Sequence, residues 1–75
     1  MSGSTKVIKY INPPEVCDVC HKPFTKNIMY DAKTVYGPWA NMCMTCFNSI
    51  GVGLGTGLGQ QYKKNDSGDW IKNAG

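Results

Sequence analysis

Cys17-Asp18-Val19-Cys20 and Cys43-Met44-Thr45-Cys46 are two Cys-x-x-Cys pairs with 22 residues between them. Two residues between ligands let both sulfurs of a pair reach one ion at ~2.3 Å. Two such pairs predict a single structural zinc held by Cys17, Cys20, Cys43 and Cys46. The intervening length slightly exceeds the roughly 15–20 residues usual for such pairs, and a hairpin with a generous turn takes up the excess. A redox dithiol wants a βαβ context that this chain is too short to provide. Two disulfides want an oxidising compartment. An iron–sulfur centre stays possible with four thiolates and is the less common outcome of this spacing.

The chain needs such a staple. A domain near 75 residues buries only about 60% of the surface its unfolded chain exposes, so an apolar core alone is marginal. Residues 1–75 read as one zinc-binding domain, with 1–5 a polar, disordered tip. No stretch approaches the ~18 apolar residues of a membrane span. Val7–Ile11 is too short for the apolar region of a signal peptide, which predicts a reducing cytoplasm.

Between and around the pairs the sequence is punctuated. Lys6–Ile11 (KVIKYI) is short, β-branched and aromatic, a strand pattern stopped by Asn12-Pro13-Pro14. Asn27–Lys33 and Pro38–Met42 are strand candidates joined through Tyr36-Gly37-Pro38, a turn signal. Cys43–Ile50 has no breaker before Gly51 and places Phe47 and Ile50 three apart, so a short helix opens at the second cysteine pair. Asn65-Asp66-Ser67-Gly68 suits a type I turn closed by a left-handed glycine, predicting a terminal hairpin of Gln60–Lys64 and Asp69–Asn73. The expected class is therefore a small metal-stabilised α+β fold: knuckle, β-hairpin, short helix and C-terminal β-hairpin.

Gly51–Gly59 (GVGLGTGLG) carries glycine at every odd position. It is not a nucleotide loop: no glycines stand at relative positions 1, 3 and 6, and no Gly-Lys-Ser/Thr ending is present. It reads as a glycine-rich loop or irregular strand whose leucines join the core.

The chemistry for turnover is missing. Four thiolates fill a tetrahedral shell, whereas a catalytic zinc keeps one position open. His21 is the single histidine and reads as a knuckle neighbour rather than a ligand. Glu15, Asp18, Asp31, Asp66 and Asp69 have no spacing suited to acid–base work. The chain is not expected to be an enzyme or to take a small-molecule substrate.

Charge constrains the partner. The formal net charge is +3; four thiolates and one divalent ion bring it to +1. All eight cationic side chains are lysines, and arginine, the usual bidentate reader of phosphate and guanine, does not occur.

Cys17–Phe24 (CDVCHKPF) and Gly37–Phe47 (GPWANMCMTCF) resemble a treble-clef zinc finger. That resemblance implies a knuckle carrying Cys17 and Cys20 and a helix start carrying Cys43 and Cys46. Trp39–Tyr62 is similar to small proteins of bacteriophages and prophages, which implies a host protein as the natural target. The expected function is an interaction module that binds a protein through Tyr30, Tyr36 and Trp39, aromatics being enriched at binding hot spots. Nucleic-acid binding is the alternative, with Lys22, Lys26 and Lys33 around the knuckle and hairpin gripping a single strand or backbone.

Overall fold

The computed structural model describes residues 8–75. Its elements are β1 (Ile28–Lys33), β2 (Trp39–Met42), α1 (Met44–Ile50), β3 (Gly59–Lys64) and β4 (Trp70–Ala74). The strands form one antiparallel sheet in the order β2-β1-β3-β4. The two expected hairpins are present. They are joined by β1–β3 pairing, which sets Tyr30 opposite Gln61 and Ala32 opposite Gly59.

Successive strand residues face opposite sides of a sheet, and β1 is buried on both. Tyr30 and Ala32 pack on one side with Met42, Cys17 and Cys43, beneath Phe47 and Ile50 of α1. Met29 packs on the other with Tyr62 and Trp70, closed by Tyr10 and Phe24. Aromatic rings set each layer. Tyr30 stacks on Phe47 with centroids 4.0 Å apart, while Tyr10 meets Tyr62 at 5.2 Å and Phe24 meets Trp70 at 5.5 Å, both edge-on. Such pairs add about 0.5–1.5 kcal/mol each beyond the area they bury.

Both sheet edges are occupied, which blunts the tendency of open strands to pair with other chains. Along β2, the Asp18 N–H donates to the Asn41 carbonyl at 2.8 Å, and the Asn41 N–H donates to the Asp18 carboxylate at 2.9 Å. Along β4, Tyr10 donates to Trp70 and Lys72 to Ile8. The strand expected at Lys6–Ile11 is thus a single bridge, Lys9 to Ile71, among the described residues. Residues 1–5 and the start of that strand lie outside them.

The glycine-rich segment is a loop, as expected, but its leucines are not core. Leu54 is 38% exposed and Leu58 42%. The turn from Gly55 to Leu58, closed by the Leu58 N–H on the Gly55 carbonyl, carries both away from the sheet. Gly59 brings the chain back against β1. There a Cβ would collide with the Ala32 side chain and the Gly53 carbonyl oxygen.

Gly59→Ala is therefore expected to destabilise the metal-loaded protein by about 1–3 kcal/mol, the usual cost of overpacking. Urea denaturation reads this directly; an unchanged midpoint would contradict the close approach of the loop to β1.

Candidate metal centre

The first cysteine pair lies on a tight turn before β1. The Cys17 N–H donates to the Lys22 carbonyl and the His21 N–H to the Cys17 carbonyl, each at 2.9 Å. Those bonds curl the chain so that Cys17 and Cys20 face the same point. His21 closes the curl at φ 62°, a left-handed conformation that histidine adopts more readily than most residues.

The second pair lies where β2 gives way to α1. Cys43 is the N-cap residue, with extended backbone at φ −72°, ψ 169°. Its carbonyl accepts the Phe47 N–H at 2.9 Å. Cys46 stands three residues on, one helical turn away and on the same face. The knuckle and the start of α1 sit at the same end of the β1–β2 hairpin, which brings the two pairs together.

The four Sγ atoms lie within 4.8 Å of one another. Cys20 Sγ and Cys43 Sγ are 3.7 Å apart. A tetrahedron with ~2.3 Å metal–sulfur bonds has edges of ~3.8 Å, whereas a disulfide needs ~2.05 Å. All four cysteines are free thiols, and their separations fit one metal ion. Cys17 and Cys43 are buried, Cys20 and Cys46 half-buried.

The electrostatics favour a cation at this point. Burial pushes the Cys17 thiol up. Donors at the Cys20, Cys43 and Val19 N–H groups, with the Cys46 thiol, outweigh it and bring Cys17 down to about 7. One of those donors, the Val19 N–H, lies 3.4 Å from the sulfur. Cys46 is pushed up by burial and then by the surrounding thiols. Four thiolates this close repel one another, and a divalent ion removes the repulsion.

The other residues singled out from the sequence divide differently. Tyr30, expected on a binding surface, is 7% exposed and belongs to the core; its hydroxyl accepts from Gln61 at 3.0 Å. Tyr36 is 77% exposed and Trp39 45%. Lys22, Lys26 and Lys33 are all exposed but do not form one patch. Lys22 and Lys26 are at the metal end, and Lys33 closes β1, which spans about 17 Å at ~3.4 Å per residue. The Asp18–Asn41 clamp, which ties the knuckle to β2, has no sequence signature. Asp18 also raises the Asp31 carboxyl, after burial has done so.

No protein family, curated protein or solved structure matches the chain. No helix among the described residues is long and apolar enough to cross a membrane.

Cys43→Ser is expected to lose the metal and unfold, because it removes the sulfur that ties the β2–α1 junction to the knuckle. His21→Gly should keep the metal and fold at least as well, since glycine carries no penalty at φ 62°. Metal content by elemental analysis, with circular dichroism, checks both; metal loss in His21→Gly would overturn the ligand set. Metal affinity should also weaken steadily as the pH falls, because protons compete with the ion for all four thiolates.

Proposed function

We propose that this chain is a zinc-built interaction module that binds a protein partner and modulates it. The observation that carries the reading is the polarity of the molecule. Its four-sulfur centre closes one end of the β1–β2 hairpin, and exposed Tyr36 and Trp39 lie at or beside the turn at the other.

Zinc is the ion that best suits this centre. Four sulfur donors at near-tetrahedral separation are the usual surroundings of structural Zn²⁺. The order of knuckle, hairpin and ligand-bearing helix start supports the treble-clef reading, with β3 and β4 as an addition that extends the sheet. Four cysteine ligands leave zinc no position for water or substrate, which favours binding over turnover. The resemblance to small phage proteins makes a host protein the natural target.

The separation of Lys22 and Lys26 from Lys33, together with a charge of +1 once metal and thiolates are counted, weighs against a nucleic-acid grip. Lysines that bind phosphates displace condensed counterions, so such binding falls steeply with salt. Gel shift and fluorescence titration against single- and double-stranded DNA and RNA test the point. Weak binding with a shallow salt dependence is expected. Tight binding lost between low and physiological salt would refute the protein-partner reading.

A further inference from the structure

Six exposed apolar side chains converge at the end of the molecule away from the metal. They are Val35, Tyr36 and Trp39 from the β1–β2 turn and its edge, and Val52, Leu54 and Leu58 from the glycine-rich loop, between 38% and 77% exposed. The two segments are held side by side. Val35 donates to the Ile50 carbonyl, Val52 to Lys33, and Lys33 to Leu58.

Three observations say what covers this tip. The first is charge. No acidic residue occurs between Asp31 and Asp66, and Lys33 is the single cation there before Lys63. Two copies can therefore meet tip to tip with no charge at the contact beyond the two Lys33 ammonium groups, whose long stems let them stay in water. The other cations of the hairpin and knuckle stand at the far end, where a membrane-inserting tip would not have them. The second is area. The six residues leave on the order of 600 Å² exposed per copy, so a two-fold contact that covered them fully would bury on the order of 1,200 Å², the lower edge of stable interfaces. The third is backbone. Among the described residues the N–H groups of Gly53, Leu54, Thr56 and Gly57 make no backbone hydrogen bond. A Cβ placed on Gly53 or Gly57 would meet nothing within 4 Å, so another chain can come close to these donors. A second copy brings acceptors from the same loop.

We infer that the tip formed by the β1–β2 turn and the glycine-rich loop is a two-fold contact between copies of this chain. The inference rests on reading the tip as a protein-docking surface, for which a second copy and a host protein would compete. A contact of this kind is self-complementary and closed, and it adds apolar burial to a domain whose own core is small.

Sedimentation equilibrium of the metal-loaded full chain, over a range of micromolar concentrations, tests it. A monomer–dimer equilibrium is expected. Tyr36→Asp should weaken it at least about tenfold, as loss of an aromatic anchor does, while metal content and circular dichroism stay unchanged. Val35→Asp, at a side chain 62% exposed, should weaken it too. A monomer at all concentrations, growth beyond the dimer, or a Tyr36→Asp dimer as tight as the parent would each overturn the inference. Pelleting of a monomeric chain with phosphatidylcholine–phosphatidylglycerol vesicles would overturn it and assign the tip to a membrane. A monomer that also ignores nucleic acid leaves the protein-partner reading standing, whereas a dimer that grips nucleic acid steeply with salt keeps this contact and removes that reading.

Discussion

Four sulfurs within 4.8 Å of one another are the constraint on which the rest of this structure depends. They join a knuckle before β1 to a helix start after β2, so the hairpin between them is closed at its open end. The energy scale makes this decisive. Structural zinc sites contribute about 10–16 kcal/mol of apparent binding energy, as much as the entire ~5–15 kcal/mol stability of an ordinary domain. A core whose largest fully buried side chains are Met29, Met42 and Cys17 does not replace that.

What the centre fixes at one end is transmitted to the other. Helix α1 starts at Cys43 and runs about 10 Å at ~1.5 Å per residue. It is pinned midway by the Tyr30–Phe47 stack and ends where the Ile50 carbonyl takes the Val35 N–H. The glycine-rich loop leaves from that point and returns to β1 at Gly59, where only glycine fits. The apolar tip is thus joined through α1 and β1 to the cysteine cluster at the opposite end of the hairpin.

Much of this was legible in the residues. The ligand set, the two hairpins and the helix at the second pair follow from spacing and punctuation, with strand and helix ends falling about one residue from where Asn27, Pro38 and Cys43 placed them. The pairing of β1 with β3 was not legible, because nothing local in Ile28–Lys33 or Gly59–Lys64 names a partner so far along the chain. Tyr30 was misread for a related reason. With Met29 and Tyr30 adjacent and both buried, β1 shows no alternation to say which residue faces inward. Leu54 and Leu58 were assigned to the core on hydrophobicity alone, yet the turn at Gly55 carries them outward. Lys22, Lys26 and Lys33 are near in sequence, but an extended strand sets the last apart from the other two.

The central claim is that metal and fold are one equilibrium. Stepwise titration of the metal-loaded protein with a chelator, followed by two-dimensional amide NMR, tests it most directly. The account predicts that resonances around the knuckle, α1 and the far glycine-rich loop vanish together, in proportion to the metal removed, and return on adding it back. A chelated protein that keeps dispersed resonances for β1, β3 and the loop would contradict it.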